Sequence, residues 1–359
     1  MDRKPPTHHD DFDDPLRIDD DHDKLSEDDL WFLPGPMEED ADHPRPGHRA
    51  APPETAILDD WRKAEASNAA RLAHLAGRLG ALDDRLMRGP QGWHNRLALV
   101  EAANLSWLMG DRVGPDRLAL WISMHLSGVQ DDTTALSRAA WAARRLTGGP
   151  GPQADLSAFL DRRDPERPNH TAEPFAERAD NWLQLMAQAA DLHPITRAAM
   201  GFHVWTLAGL GQQGDRFEAA VAAARGATGE RPHPHTGAVF MPLATGGAAG
   251  LRAGGTPAER LTRWLHGAET SCLTAMRHLD DLVAWSVRAE AAMAPLSGRT
   301  PPALRILLTE WPAISAPMAQ SLTGASRAAV QRNLAWMHAH GLIREMTGQG
   351  RYRMWRADL

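Results

Sequence analysis

The stretch "TGASRAAVQRNLAWMHAHGLIREMTGQGRYRMW" (Thr323–Trp355) decides how the C-terminal part of this chain folds. Ser326 is of a residue type that caps helix N-termini, and Gly341 stands where a helix usually ends. Two strand-like runs follow and are joined by a short turn, Gly348-Gln349-Gly350. The stretch therefore predicts a helix followed by a β-hairpin.

Two further helices are predicted immediately upstream. A helix begins at Pro302, and Ser315 caps a second helix with Pro317 in its first turn, where a missing N–H is harmless. Gly324-Ala325 forms the turn before the third helix. Three helices and a hairpin wing are typical of a winged helix–turn–helix domain, which we place at residues 298–359.

The third helix has two different sides. At about 100° per residue, Val330, Leu334 and Met337 fall on one side, which is expected to pack on the first two helices. The opposite side carries Ala328, Gln331, Arg332 and Ala335, with Arg327 flanking them at the N-terminal end.

This opposite side has the side chains that the major groove of DNA requires. Small residues allow close approach, Gln pairs with adenine and Arg pairs with guanine. The N-terminal residues of a recognition helix reach base edges, and the helix dipole favours nearby phosphate. Arg351 and Arg353, in the hairpin, are placed to meet the DNA backbone or the minor groove. The predicted DNA-binding residues are Ser326, Arg327, Ala328, Gln331, Arg332, Gln349, Arg351 and Arg353.

Two alternatives stay open for residues 298–359. The segment can be a small helical cap with incidental arginines, and helix–turn–helix geometry also serves protein–protein contacts. Arg344, in the first strand, is either structural or a phosphate contact.

The charge of the chain is unevenly distributed. The formal net charge is −7, yet residues 1–50 alone carry 16 Asp/Glu against 6 Lys/Arg. From Pro302 onward there are 7 Arg against 3 acidic residues. A basic C-terminal module is thus joined to a nearly neutral body, with an acidic segment in front.

Residues 1–54 are rich in Asp, Glu, Pro and His, and such a segment cannot bury enough apolar surface to offset its ordering entropy. We therefore expect a disordered acidic tail. Its apolar island, "LWFLPGP" (Leu30–Pro36), either packs loosely on the body or docks a protein partner. A further hypothesis is that the tail folds back on the basic module and competes with DNA, and a solubilising tail is the alternative.

From Thr55 onward the chain has a helical pattern, and residues 55–297 are predicted to form an α-helical bundle. The first pattern runs to Gly89-Pro90. Further helices are predicted at about 93–109, 115–127, 132–147, 172–190, 194–210, 215–225 and 257–294. No alternating strand pattern is convincing before residue 340, so the predicted fold class is mainly α.

Several kinds of site are not expected. The single cysteine, Cys272, excludes a disulfide framework and a cysteine-based zinc site, and it favours a reducing cytoplasm. No run of 18 uncharged apolar residues exists and the N-terminus is acidic, so neither a membrane span nor a secretory signal is expected. The glycine-rich loop at 229–257 lacks a preceding strand and a Gly-Lys-Ser/Thr, and His233 and His235 lack further ligands. We expect no cofactor and no metal.

The C-terminal residues carry a family resemblance. The stretch from Met318 to Trp355 resembles the winged helix–turn–helix that ends many Fic-family proteins. It is more similar to an alphaproteobacterial (rhizobial and rhodobacterial), often plasmid-encoded family of helix–turn–helix proteins of unknown function. In that family the ending "LREMTGRGRFRAW" is characteristic, and here it is "IREMTGQGRYRMW" (Ile343–Trp355). The stretch Arg78–Trp121 is similar to the opening helices of the same family, so the resemblance covers most of residues 60–357.

The resemblance implies a Fic-like body that has lost its catalytic motif. The helix that leads to the Fic catalytic loop aligns with "HPITRAAMGFHVWTLAGL" (His193–Leu210), and the loop position is "GLGQQGDRF" (Gly209–Phe217). This loop has no histidine, no Asn and no matching Arg, so the general base and the phosphate-binding nest of adenylyl transfer are both absent. We therefore expect a protein that is not an enzyme.

Three functions compete at this point. The first is a sequence-specific DNA-binding protein, a transcriptional regulator, whose body dimerises or senses a signal, so that a homodimer binds double-stranded DNA. The second is a residual enzyme that uses His193, His203 or the His233 and His235 pair. The third is an interaction scaffold that recruits a partner through its acidic tail.

Overall fold

The computed structural model describes residues 54–124, 132–161, 174–211, 215–229, 238–347 and 353–359. Within these residues the chain forms thirteen α-helices and one three-stranded antiparallel sheet, which confirms the predicted mainly helical class. The predicted acidic tail, with its apolar island Leu30–Pro36, lies outside the described residues apart from Glu54.

The first helical pattern divides into two helices, α1 (Glu54–Ser67) and α2 (Ala69–Arg88). Asn68 lies between them with φ −111° and ψ 11°, which interrupts the helical backbone. Its buried side chain donates from Nδ2 to the Ala64 carbonyl at 3.0 Å, and its Oδ1 accepts from Thr262 Oγ1 at 2.8 Å. Because an Asn side chain competes with the backbone for hydrogen bonds, the break falls at this residue.

Seven helices follow in the body. They are α3 (Gly92–Ser106), α4 (Pro115–Met124), α5 (Thr133–Thr147), α6 (Leu156–Phe159), α7 (Phe175–Gln188), α8 (Pro194–Val204) and α9 (Phe217–Gly226). The predicted helices are all present, but two predicted ends are wrong. The helix expected to reach residue 109 ends at Ser106 and continues as a single 3₁₀ turn, Trp107–Met109. The helix expected to reach residue 210 ends at Val204 because the chain tightens into turns that close on Gly209, whose φ of +66° a helix does not allow.

The helix α10 (Pro257–Met293) is 37 residues long and spans about 55 Å at the usual rise of about 1.5 Å per residue. A reciprocal capping box starts it, in which Thr256 Oγ1 accepts from the Glu259 N–H at 3.4 Å and Glu259 Oε2 accepts from the Thr256 N–H at 2.8 Å. The prediction for residues 257–294 is confirmed. Neither α10 nor any other helix in the described ranges combines the length and the apolarity that crossing a bilayer requires.

The C-terminal residues form six elements. These are α11 (Thr300–Glu310), β1 (Ile314–Ser315), α12 (Ala316–Thr323), α13 (Arg327–Ala339), β2 (Ile343–Glu345) and β3 (Met354–Ala357). The strands are antiparallel in the order β1-β3-β2, and Arg344 lies opposite Arg356 in the β2–β3 pair. The expectation that no strand precedes residue 340 is wrong, since Ile314 in β1 pairs with Trp355 in β3. A strand of two residues is too short to show an alternating pattern.

Two hydrophobic cores share α10. The larger core lies among α1 to α9 and most of α10. The smaller core takes Trp285, Ala289 and Met293 from the last turns of α10 and combines them with residues of α11, α12, α13 and the sheet. Trp285 also donates from Nε1 to the Leu342 carbonyl at 2.7 Å. The last part of α10 therefore belongs structurally to the C-terminal elements.

A buried arginine joins the two cores. Arg96, on α3, is 4% exposed and donates to His278 Nε2 at 2.9 Å, to the Leu308 carbonyl at 3.1 Å and to the Trp311 carbonyl at 2.5 Å. Burial lowers the pKa of Arg96 to about 9, and burial together with the Arg96 charge lowers the pKa of His278 to about 4. Residues Pro52–Leu359 accordingly form one compact unit, and the domain boundary at 297/298 stays a prediction.

Candidate nucleic-acid interface

The predicted surface is carried by α12, a tight turn and α13. Ser315 Oγ accepts from the Met318 N–H at 3.3 Å and caps α12, which ends at Gly324 with φ +66°. Ser326 Oγ then accepts from the Ala329 N–H at 3.3 Å and caps α13. Since each cap satisfies a backbone N–H that has no partner inside the helix, short polar residues determine where both helices begin.

The two sides of α13 are those that the helical spacing predicts. Val330, Leu334 and Met337 are all 0% exposed and lie in the smaller core. The residues predicted for the opposite side, Ala328, Gln331, Arg332 and Ala335, are all exposed, and so are the flanking Arg327 and the cap residue Ser326. Five of the eight predicted DNA-binding residues are thus exposed on α13 or at its start, and we call them the α13 face (Ser326, Arg327, Ala328, Gln331 and Arg332).

The α13 face is positively charged. Residues 316–340 contain no Asp or Glu, so α12, the turn and α13 carry no acid at all. Neither Arg327 nor Arg332 forms an ion pair with another residue in the described part of the chain. Both guanidinium groups are thus available to an external anion, next to the positive end of the α13 dipole.

The hairpin arginines differ from this. Gln349 and Arg351 lie outside the described residues, so their predicted roles are not placed by the structure. Arg353 is exposed, but it donates to Glu345 Oε2 at 3.2 Å and its guanidinium lies 5.4 Å from the centre of the Trp355 ring. Arg353 therefore already has a partner within the hairpin, where a partly exposed ion pair is weak and can be exchanged.

The sequence prediction left the role of Arg344 open and missed a second arginine of the sheet, Arg356. Arg344 and Arg356 are directly opposite each other in β2 and β3, and both are exposed. Arg344 forms an ion pair with Asp358 at 3.0 Å, while Arg288 on α10 donates to the Asp358 carbonyl at 2.7 Å. Facing like charges disfavour a strand pair, and Asp358 offsets this. The sequence does not give the register between β2 and β3. Without that register, the alternation of side chains along β3 could not show that Arg356 lies beside Arg344.

The histidines considered for catalysis have structural roles where they are described. His193 Nδ1 accepts from the Ile195 N–H at 3.2 Å and caps α8, and burial lowers its pKa. His203 stacks on Trp61, with 5.8 Å between the ring centres. His233, His235 and residues 212–214 of the loop Gly209–Phe217 lie outside the described residues. Among the residues that the structure describes, no group of His, Cys, Asp and Glu is arranged to hold a metal ion.

The glycine-rich loop has a different role from a phosphate cradle. Its successive N–H groups at Leu243, Ala244 and Thr245 donate to the carboxylate of Glu101 at 2.7, 2.9 and 2.9 Å, and Thr245 Oγ1 adds a fourth bond at 2.6 Å. Glu101 lies on α3 and is 0% exposed, and its burial raises its pKa. An internal carboxylate thus occupies the backbone nest, which explains why the loop needs no external anion there.

No protein-family model matches this chain, and no curated protein is significantly similar to it. The function is therefore inferred from the residues and their geometry.

Proposed function

We propose that this protein is a sequence-specific DNA-binding protein that acts as a transcriptional regulator, with residues 298–359 as a winged helix–turn–helix domain. The observation that carries the proposal is the α13 face. It presents Arg327, Gln331 and Arg332 to solvent on a helix whose opposite side is completely buried. A helix that is held this firmly can enter the major groove without rearrangement.

The order of the C-terminal elements supports this proposal. Helix, short strand, two helices and a two-stranded hairpin follow one another, and the hairpin lies next to α13 in sequence and in the smaller core. In a winged helix–turn–helix the third helix enters the groove while the hairpin contacts the backbone. In this arrangement α13 reads the bases, and the segment around Gln349, Arg351 and Arg353 meets the adjacent phosphates or the minor groove.

Each residue of the α13 face has a distinct proposed role. Gln331 and Arg332 contact base edges, because these side chains form bidentate pairs with adenine and guanine respectively. Ala328 permits close approach. Ser326 and Arg327, at the positive end of the helix, contact phosphate oxygens. We propose that the protein binds DNA as a homodimer with one α13 face on each of two half-sites, since a two-fold dimer matches a palindromic operator.

We propose no catalytic activity for the body. In this proposal the body is Fic-like but lacks the catalytic loop, and His193 and His203 are engaged in capping and packing. Its proposed role is to form the dimer contact or to sense a signal.

The test is DNA binding by the full-length chain. A fragment that begins at residue 298 would lose Trp285, Ala289 and Met293 from its core, so the full chain is required. Selection from random duplexes followed by fluorescence anisotropy should yield a preferred site whose affinity falls steeply with salt. Arg332→Ala should reduce discrimination at one base position, whereas Arg327→Ala should weaken binding to all sequences and lower the salt slope by about 1.

Arg277→Ala is the matched control, because Arg277 is an exposed arginine on α10 within the body. It should leave affinity, sequence preference and salt slope unchanged. If the full-length chain has no salt-dependent affinity for any duplex even at low salt, or if Arg327→Ala and Arg332→Ala behave like Arg277→Ala, the proposed interface is wrong.

The acidic tail modulates this binding in our proposal. Residues 1–50 have a net charge of −10, from 16 acidic and 6 basic residues, and they compete with DNA for the basic module. A chain that begins at residue 51 should therefore bind DNA more tightly than the full chain at low salt, with the difference fading as salt screens the tail. Equal affinities of the two chains at low salt would exclude the competition and leave the tail as a solubilising segment or a site for a protein partner.

A further inference from the structure

Three arginines converge at one end of the body, far from the α13 face. Arg216 immediately precedes α9, while Arg260 and Arg263 lie in the first turns of α10. Aromatic rings join these elements: the Phe202 ring on α8 lies 5.9 Å from the Arg216 guanidinium and 5.4 Å from the ring of Trp264, which directly follows Arg263. The ring of His203, next to Phe202, lies 6.5 Å from that of Trp264, and the charges of all three arginines act on it. We call these three residues the arginine cluster (Arg216, Arg260 and Arg263).

Neutral groups hold two members of the cluster in place. The Arg216 guanidinium lies 5.9 Å from the centre of the Phe202 ring and donates to the Leu251 carbonyl at 3.4 Å. Arg263 donates to the Gly254 carbonyl. Arg260 makes no hydrogen bond to any residue in the described ranges. All three side chains are partly exposed, so a solute can reach them.

No acid forms an ion pair with the cluster within the described residues. None of the three arginines forms an ion pair there. Two nearby carboxylates accept hydrogen bonds from neutral groups: Glu259 Oε2 from the Thr256 N–H and Thr256 Oγ1 at 2.8 and 3.2 Å, and Asp215 Oδ1 from the Phe217 N–H at 3.0 Å. The Glu259 charge acts on Arg263 without forming an ion pair with it, so no arginine of the cluster has a directly bound acid among the described residues.

Buried polar atoms in and next to the cluster lack a hydrogen-bond partner among the described residues. In the cluster they are Arg260 Nε and Arg263 Nε, and beside it they are His203 Nε2 and Trp264 Nε1. Burial, followed by the charges of Arg216 and Arg263, lowers the pKa of Arg260. Burial and the three arginines lower the pKa of His203 to about 3, so His203 is neutral and adds no further charge. Unpaired charges and unsatisfied buried donors both destabilise a fold, and their concentration at one place is typical of a binding site.

We propose that the arginine cluster binds a small anion of the phosphate class, either inorganic phosphate or a phosphorylated metabolite. Guanidinium groups match the oxygen spacing of phosphate and carboxylate with paired N–H donors. A phosphate group carries about two negative charges and three acceptor oxygens. It can therefore satisfy three arginines at once, which a single carboxylate with one charge and two oxygens cannot.

The site is independent of the proposed DNA interface. Arg260 and Trp285 lie on the same helix 25 residues apart, which corresponds to about 37 Å at a rise of about 1.5 Å per residue. The buried side of α13, opposite the α13 face, shares the smaller core with Trp285. Loss of anion binding and loss of DNA binding can therefore be separated by where the substitutions lie.

Isothermal titration calorimetry and thermal unfolding of the full-length chain test the proposal in a phosphate-free buffer. Inorganic phosphate and pyrophosphate are added at an ionic strength held constant with sodium chloride, and acetate, which has a single carboxylate, serves as the carboxylate probe. Saturable binding of phosphate or pyrophosphate and a rise in Tm are expected, with weaker binding of acetate. Pyrophosphate that binds more tightly than phosphate would indicate a phosphorylated metabolite, and the reverse order would indicate inorganic phosphate.

Arg260→Gln and Arg263→Gln should each weaken anion binding about tenfold, as expected for the loss of one charge-assisted hydrogen-bonding group. Because each substitution also removes repulsion, the anion-free variants should be at least as stable as the wild type. Arg277→Gln, on the same helix, and Arg332→Gln, on the α13 face, should bind the anion normally. The proposal is overturned if the wild type shows no saturable response beyond sodium chloride, if acetate binds more tightly than phosphate and pyrophosphate, or if the two cluster variants match Arg277→Gln.

Discussion

The carboxylate of Glu101 is buried inside the body, where it accepts hydrogen bonds from the N–H groups of residues 243–245 and from the Thr245 hydroxyl. Four donors meet the acceptor sites of one ionised carboxylate, so the hydrogen bonds oppose the effect of burial on its pKa. Burial, the Glu101 charge and the Glu269 charge raise the pKa of the neighbouring Cys272 thiol to about 12. The single cysteine of the chain is therefore an unreactive core residue.

Glu101→Gln should lower the free energy of unfolding by about 2–4 kcal/mol, because the amide NH₂ would face N–H donors and leave them unsatisfied. Chemical denaturation in urea measures this change. Glu177→Gln, at an exposed position on α7, should change stability by less than about 0.5 kcal/mol. If the two variants had equal stability, the Glu101 contacts would not support the loop.

His203 makes stability depend on pH. Its pKa is about 3 in the folded protein against an ordinary value of 6.5, because it is buried and surrounded by the arginine cluster. Between these two values the unfolded chain binds a proton that the folded chain does not, so stability is lost as the pH falls below 6.5. Relative to the wild type, His203→Phe should therefore become more stable by about 1.5 kcal/mol between pH 6.5 and pH 5.

This comparison is made by denaturation at both pH values in phosphate-free buffer. His266→Gln replaces an exposed histidine of α10 and should show no such relative gain. If the wild type and His203→Phe differ by the same amount at pH 6.5 and pH 5, His203 does not titrate as its surroundings require.

At the scale of elements, the two sides of α13 have different roles: the buried side stabilises the smaller core, and the exposed α13 face is proposed to bind DNA. Leu334→Ala should lower the free energy of unfolding by about 2–5 kcal/mol, because it opens a cavity in the smaller core. Arg332→Ala, only two positions away, should change stability by less than about 0.5 kcal/mol while it weakens DNA binding. Denaturation and anisotropy on the same two proteins measure both effects. A stability loss for Arg332→Ala as large as that for Leu334→Ala would contradict an exposed recognition face.

The beginnings and ends of the elements could be predicted where the signal is local. Ser315, Ser326 and Gly324 act on backbone groups within four residues, so α12 and α13 were placed correctly. The division at Asn68 was not predicted, because it depends on Thr262, which lies 194 residues further along the chain. The strand β1 was missed for a similar reason, since only its pairing with β3 identifies it.

At the scale of the whole molecule, α10 and Arg96 connect the body to the C-terminal elements. Arg96→Ala would leave His278 Nε2 and the carbonyl groups of Leu308 and Trp311 without their donor. We expect a loss of about 3 kcal/mol in unfolding free energy and two separate transitions in calorimetry, because the two cores would no longer unfold together. Arg85→Ala removes a more exposed arginine that also contacts α10 and should keep a single transition. One sharp transition for Arg96→Ala would show that α10 alone couples the cores.

The sequence by itself determined the helical class, the small hairpin, the caps around α13 and the side of that helix that is buried. All of these follow from contacts between residues a few positions apart, which a one-dimensional pattern records. Only the tertiary structure decided that Glu101 fills the nest of the glycine-rich loop, that Arg96 joins the two cores, and that Arg216, Arg260 and Arg263 come together without an ion pair to any described residue. These groups come from distant parts of the chain, and nothing in their local sequence specifies which partner the folding of the intervening residues brings to them.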